Sequence, residues 1–349
     1  MFSILTMEAT LISERIALGL IGAGRIGSLH AESLVSRLTG AELVAVADIH
    51  LPSAETLAAR WRIPAVYDDY RAILDDPGIA AVAICSATDT HAQIIREAAA
   101  AGKHVFCEKP IDHSLEKIDS ALKAVAEAGV LLQVGFNRRF DANFKKVRDL
   151  VREGRIGEPQ ILRITSRDPA PPPLDYIRVS GGIFLDMTIH DFDMARYLMG
   201  AEVIQVFTAA GVMVDEAIGA AGDLDTAVIT LWFDNGAIGT IDNSRQAVYG
   251  YDQRVEVFGS KGMARADNNY PDSHVLSHAG GIESAKPLYF FLERYMDSYV
   301  IEMAAFVEAI RTGGPVPVSG EDGRIPVVMG LAAARSYQEN RPVLLSEVE

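Results

Sequence analysis

The first clear pattern in the chain is a short β-branched apolar run, "RIALGLIG" (15–22), which passes at once into "GAGRIGSLHAESLVSRL" (22–38), where apolar residues return with helical period. A short apolar run predicts a buried strand, and a 3.6-residue period predicts an amphipathic helix. A second strand is predicted over "AELVAVADIH" (41–50), a third in "IPAVYDD" (63–69), and a helix around "DYRAILDD" (69–76). The strand "IAAVAIC" (79–85) then leads into the helical "SATDTHAQIIREAAAAGK" (86–103), with Thr88 or Asp89 as its expected N-cap and an apolar stripe through Ile94, Ile95 and Ala98. "HVFCEKP" (104–110) is a further strand, running into Glu108, Lys109 and Pro110. Strands alternating with helices imply a parallel, doubly wound α/β sheet whose ligands lie at the strands' carboxyl ends.

The pattern changes near residue 138. A helix over "DANFKKVRDLVREG" precedes the strand "PQILRITSR", the proline-rich loop "DPAPPPLDYIRVSGG" and an amphipathic helix, "DMTIHDFDMARYL" (186–198). Long alternating segments follow: "EVIQVFTAAGVMV", then "TAVITLWF" joined through Asn235-Gly236 to "AIGTIDNSRQA", then "QRVEVFGSKGMARA". Asn-Gly between alternating runs is a strong hairpin signal. The expected second unit is therefore α+β, with an open-faced, mostly antiparallel sheet free to pack on helices or on another subunit. Two late helical patterns, within 297–313 and 325–340, supply cover. The organisation expected is an N-terminal extension over 1–14, a nucleotide-binding unit over 15–137, and a substrate-binding and oligomerisation unit over 138–349.

At 349 residues, 49% of them apolar, the chain can build two cores. A formal charge of −15 without clustered Lys and Arg argues against nucleic acid as a partner. No apolar run approaches the roughly 18 residues that span a bilayer, so no membrane partner is expected. "MFSILTMEATLISER" lacks a basic start and a long apolar core and reads as neither a signal nor a transit peptide. Cys85 and Cys107, both in apolar strand patterns, fit a reducing, cytoplasmic setting.

The first strand-to-helix junction carries G-x-G-x-x-G at Gly22, Gly24 and Gly27, in the context that gives the motif meaning. Gly22 permits the tight turn, Gly24 lets the backbone approach a pyrophosphate, and Gly27 brings helix and strand together; the helix start offers free N–H groups to phosphate. Asp48 ends the second strand 21 residues past Gly27. A carboxylate there accepts hydrogen bonds from an unmodified ribose and repels a 2′-phosphate, which favours NAD over NADP. The expected cofactor edge comprises Gly22, Gly24, Arg25, Ile26, Gly27, Asp48, Ser86, Thr88, His91, Glu108 and Lys109. Lys109, aimed by Pro110 beside the expected nicotinamide, can donate to a substrate oxygen or, if desolvated, help move its proton.

Within 186–198, Asp186, His190 and Asp193 fall at i, i+4 and i+7 and form one stripe, with Asp191 pointing elsewhere. A solvated polar face, a metal site and acid/base machinery all fit such a stripe, although no Cys or second His at ligand spacing supports a metal.

"GLIGAGRIGSLHAESL", "VFCEKPI", "QVGFNRRFD" and "GGIFLDMTIHDFDMARYLMG", in that order over nearly the whole chain, resemble the Gfo/Idh/MocA oxidoreductases. The resemblance implies a Rossmann domain plus an open-faced mixed sheet, often assembled as a tetramer. Its E-K-P and D-x-x-x-H motifs imply NAD-dependent oxidation of a secondary hydroxyl of a cyclic polyol. Myo-inositol is the expected substrate, with scyllo-inositol or an aldopyranose as alternatives. It implies Lys109, Asp186 and His190 as catalytic residues, with His190 taking the hydroxyl proton and Asp186 orienting the imidazole. It further implies substrate contacts at Arg138, Asp168, Asp193 and one of Tyr249 and Tyr251. The chain departs from close inositol-acting members at Ser166-Arg167-Asp168-Pro169, where His-Arg-Asn-Pro is frequent, and at Leu185, where a charged residue is common. A non-catalytic NAD-sensing regulator on this scaffold would be expected to lose part of the Lys, Asp and His set, which is complete here.

Overall fold

A computed structural model describes residues 15–348; the extension expected over 1–14 lies outside the described residues. Six short strands form the first sheet: β1 (Ile16–Ile21), β2 (Ala41–Ala47), β3 (Ala65–Tyr67), β4 (Ala81–Ile84), β5 (His104–Glu108) and β6 (Leu132–Gly135). Their order is β3-β2-β1-β4-β5-β6, and every pairing is parallel. The chain first runs outward from β1 to β3, then crosses to β4 on the other side of β1. That reversal opens a crevice at the carboxyl ends of β1 and β4. The central strands β1 and β4 are apolar along their whole length because helices cover both faces, and β4 is buried at every residue.

The second sheet contains β7 (Pro159–Arg167), β8 (Val203–Gly211), β9 (Thr226–Phe233), β10 (Ile238–Ser244), β11 (Asp252–Gly259) and β12 (Gly262–Ala266). A separate exposed hairpin, β13 (Val275–His278) with β14 (Gly281–Ser284), follows, and β15 (Val343–Leu344) closes the edge of the second sheet in the order β12-β11-β7-β10-β9-β8-β15. All of its pairings are antiparallel except β7 with β10. Gly236, at φ +85°, makes the expected β9–β10 hairpin turn. Alternation puts Leu162, Ile164, Ile229, Leu231, Ile241 and Val257 inward, against the helices Ile189–Met199 and Gly320–Glu339. The outward row opposite them is also apolar. Met263, Phe258, Ile161, Ile238 and Trp232 stand in register across five strands, with Met263, Phe258 and Ile238 each more than 40% exposed.

The helix Phe291–Thr312 crosses back to the first sheet. Its Met303, Phe306 and Val307 join Leu18, Leu34 and Phe106 in one apolar cluster, and Gln133 Nε2 donates to the Glu302 carbonyl at 2.7 Å.

Several elements differ from expectation. "DYRAILDD" forms only one turn, Arg71–Leu74, and "QRVEVFGSKGMARA" folds back at Ser260-Lys261 into β11 and β12. The helix after β4 is capped by Ala87, with no side-chain cap, and not by Thr88 or Asp89. The stretch 186–198 is not one helix: Asp186 ends a short helix, Gly182–Asp186, and the next begins at Ile189.

Candidate active site

The glycine turn after β1 is shaped by close approach. Gly22 has φ +100°, and a Cβ there would meet the Cys85 carbonyl at 2.6 Å; one on Gly27 would come within 2.0 Å of the Gly22 oxygen. A Cβ on Gly24 would meet nothing within 4 Å, so that backbone faces open space. Gly24 also begins the helix Arg25–Ser36 and supplies no side-chain cap, which leaves the first N–H groups unclaimed. Arg25 is exposed there, while Ile26 packs on the core. Asp48 Oδ2 accepts from Ala23 N at 2.7 Å and Oδ1 from His50 N at 2.8 Å, which fixes the carboxylate beside the turn with a lone pair left on each oxygen. Open backbone, free donors and a pinned carboxylate suit a pyrophosphate and an unmodified ribose.

Two residues expected at the cofactor edge face inward. His91 is 2% exposed and packs between the Pro110 and Ser86 carbonyls, with Nδ1 2.9 Å from the first and Nε2 3.1 Å from the second, so its ring, donating to one of them, fills the space between the β4 and β5 loops. Glu108 is held by His30 Nε2 at 2.7 Å and accepts from Lys109 N at 3.3 Å; it supports Lys109 from behind. Ser86 bonds Thr90 at the head of the next helix, whose first residue is Thr88.

Lys109, at the end of β5, crosses to the second unit. Its Nζ donates to the Asp186 carbonyl at 2.9 Å and stands 3.8 Å from Asp186 Oδ1. Tyr176 OH donates to the same Oδ1 at 2.7 Å, and Arg245 Nη1 donates to Oδ2 at 3.2 Å. The buried Arg245 also holds Asp223, which in turn accepts from Ile183 N at 2.9 Å and pins the start of the helix carrying Asp186. His190 lies next to this group. Burial, then the Lys109 ammonium and the Arg138 guanidinium, push its imidazole well below the usual histidine range, so it is neutral near pH 7. Its Nδ1 is buried and has no hydrogen-bond partner among the described residues, and the ring sits edge-on to Phe136 at 6.0 Å. Among the described residues no hydrogen bond joins Asp186 to His190. Asp186 therefore steadies Lys109 rather than orienting the imidazole.

Arg138 enters from the turn after β6 and pairs with Asp191 at 2.7 Å; Asn243 Nδ2 donates to the other Asp191 oxygen at 2.8 Å. Ser166 Oγ and Tyr251 OH lie 3.4 Å from Arg138 nitrogens. Asp168, where β7 ends, is pushed up to about 7, first by burial and then by the neighbouring Asp186 charge, with Arg245 and Arg138 opposing. Its carboxyl thus lies within electrostatic reach of Asp186, Arg245 and Arg138.

Two expectations need correction. Asp193 is fully buried, and both its oxygens are taken by Arg139 at 2.6 to 3.0 Å, so it belongs to an internal ion pair. The break at Met187-Thr188 and the strong pull of a buried guanidinium separate it from the stripe. Asp191, read as pointing elsewhere, is the carboxylate that reaches Arg138. Of the two tyrosines, Tyr251 joins the Arg138 group, whereas Tyr249 donates to Asp252 and accepts from Arg167 at 3.2 Å. Tyr176, Arg245 and Asp223 were missed. A lone arginine closing an alternating run, as in "DNSRQA", is the one signal that could have marked Arg245.

The profile of an oxidoreductase family with an NAD-binding Rossmann fold matches residues 16–136, and that of the GFO/IDH/MocA C-terminal domain matches residues 144–265. The chain belongs to the Gfo/Idh/MocA oxidoreductases. It is 53% identical over 331 residues to the myo-inositol 2-dehydrogenase of Thermotoga maritima, covering 95% of this chain and 99% of that one. The crystal structure of a probable dehydrogenase from Thermotoga maritima superposes with a TM-score of 0.94 at 52% identity, covering 95% of this chain and all of the other. The scyllo-inositol dehydrogenase of Lactobacillus casei, solved with NAD(H) and scyllo-inositol, superposes with a TM-score of 0.89 at 29% identity, covering 95% of this chain and 100% of the other. The open turn at Gly24 and the carboxylate of Asp48 are thus parts of an NAD-binding Rossmann domain in an oxidoreductase.

Proposed function

We propose that this oxidoreductase is an NAD-dependent inositol 2-dehydrogenase that converts myo-inositol to 2-keto-myo-inositol. The observation that carries the reading is the meeting of Lys109 and His190 at the crevice. An ammonium from the end of β5 stands beside a neutral imidazole from the second unit, with Asp186 between strand and helix. NAD, when bound along the glycine turn, supplies the hydride acceptor. The chain supplies the rest. Lys109 donates to the hydroxyl oxygen and offsets the charge that grows on it as its proton leaves. His190 takes that proton on Nε2, and being neutral it is ready to do so. Asp186 keeps the Lys109 side chain aimed, the buried Asp191 anchors Arg138, and Arg138 with Asp168 lines the floor where further ring hydroxyls bind; a carboxylate accepts O–H donors in pairs.

Scyllo-inositol is the second reading, favoured by the structural likeness to a dehydrogenase holding that cyclitol. Initial rates with myo-inositol, scyllo-inositol and glucose, each with NAD and NADP and followed by absorbance of the reduced nicotinamide, test both. Fastest turnover of myo-inositol with NAD is expected. No turnover of either cyclitol, or a preference for NADP, would overturn the proposal.

We further infer a homotetramer built on the outer face of the second sheet. The in-register row from Met263 to Trp232 is an apolar stripe of the kind that monomers rarely leave open, and a second copy offers the matching stripe. Light scattering should return four times the chain mass; a monomeric mass would refute this. The two free, buried cysteines agree with a cytoplasmic setting, and among the described residues no helix is long and apolar enough to cross a membrane.

A further inference from the structure

Tyr176 sits on the proline-rich segment that follows β7, and nothing in the pattern of the chain marked it. The residue is 47% exposed, whereas the Asp186 side chain that its hydroxyl bonds is only 12% exposed, so Tyr176 reaches from the surface into the site. The segment is built to hold it there. Pro171, Pro172 and Pro173 precede the short helix Leu174–Ile177, and Gly181 and Gly182 follow with φ of +86° and +79°. A Cβ at Gly181 would lie 2.7 Å from His113 Nε2, and one at Gly182 would lie 2.9 Å from Asp223 Oδ1, so the far end is seated against both sides of the crevice.

Tyr176 OH and Lys109 Nζ flank one oxygen, Asp186 Oδ1, at 2.7 and 3.8 Å. A phenol has one proton and two lone pairs. The proton is spent on Asp186, which leaves the lone pairs free to accept and strengthened by the carboxylate contact. We propose that Tyr176 is a specificity-determining residue whose phenol oxygen accepts a hydrogen bond from the ring hydroxyl next to the one held by Lys109. Two groups around a single carboxylate oxygen match two hydroxyls on adjacent ring carbons, so the pair reads a vicinal diol. This rests on the dehydrogenase reading above and names which hydroxyl neighbour that site selects.

The test is a cycle between side chain and substrate. Wild type and Tyr176→Phe are compared on myo-inositol and on each single-deoxy inositol, with kcat/KM as the readout. Loss of one such hydrogen bond should lower kcat/KM on myo-inositol about 10- to 100-fold. On the one deoxy compound lacking the hydroxyl that Tyr176 meets, wild type and variant should be equal. A variant as fast as wild type on myo-inositol would overturn the proposal. So would a loss by one common factor on every substrate, which would make Tyr176 only a prop for Asp186. A wild-type enzyme that turns over no cyclitol, while NAD still raises its melting temperature, would instead sink the dehydrogenase reading itself.

Discussion

Replacing Asp193 by alanine separates the two roles open to an acid on the central helix. In the structure Arg139 Nε and Nη2 reach both Asp193 oxygens, and the two side chains are 1% and 11% exposed. Removing one member of a buried pair typically costs about 3–5 kcal/mol, because the other charge is left without compensation. Arg139 keeps a second carboxylate, Asp322, at 3.0 Å, which places the expected loss at the lower end, about 3 kcal/mol. For a chain of this size that is a fall in melting temperature of about 4 °C. Melting followed by intrinsic fluorescence gives the stability, and initial rates below the transition give kcat/KM, which should stay within about threefold of wild type because no Asp193 atom faces the crevice. An unchanged melting temperature together with a 100-fold fall in kcat/KM would show that Asp193 holds substrate and that the internal ion pair has been misread.

Three other perturbations probe the remaining parts of the site. His190→Ala should lower kcat by about 10²–10⁴, the usual worth of a positioned base, while the melting shift produced by NAD stays as in wild type. Gly24→Ala should melt like wild type without cofactor, since its Cβ meets nothing, and should lose the NAD-induced shift because the methyl occupies the pyrophosphate approach. Asp168→Asn tests a carboxyl raised to about 7 by burial and by Asp186. Its folded value lies above its unfolded one, so the proton is favoured by folding, and stability drains away as pH rises from about 4 to 7. The variant should therefore melt higher than wild type at pH 8, with the gain shrinking toward pH 5; a gain that grows toward acid would contradict the assignment.

The nucleotide-binding half was legible because each of its parts is local. Strand, glycine turn, helix and Asp48 lie within 33 residues, and each has a steric or electrostatic reason visible in the letters: Gly22 and Gly27 cannot carry a Cβ, and Asp48 closes a strand beside the turn. Lys109 was legible for the same reason, as a cation at a strand end held by a proline. The substrate side was less so. Helical spacing assigns directions around one continuous axis, and the axis breaks at Met187-Thr188, so Asp186 and Asp193 part company. Arg138 and Asp191 are 53 residues apart, Arg245 and Asp186 59, and Tyr176 reaches Asp186 from an irregular loop. Such pairings depend on how β7 and β10 meet in parallel in the middle of a mostly antiparallel sheet, a match between residues 159–167 and 238–244 that no local pattern encodes.

The return of the helix Phe291–Thr312 to the first sheet means that the nucleotide-binding half is a borrowed fold, complete only once synthesis has passed residue 307. Cut away after β6, it would show Leu34 and Phe106 to water where Phe306 and Val307 now lie. A minimal cofactor-binding module taken from this protein must therefore carry that distant helix with it, grafted back by a linker.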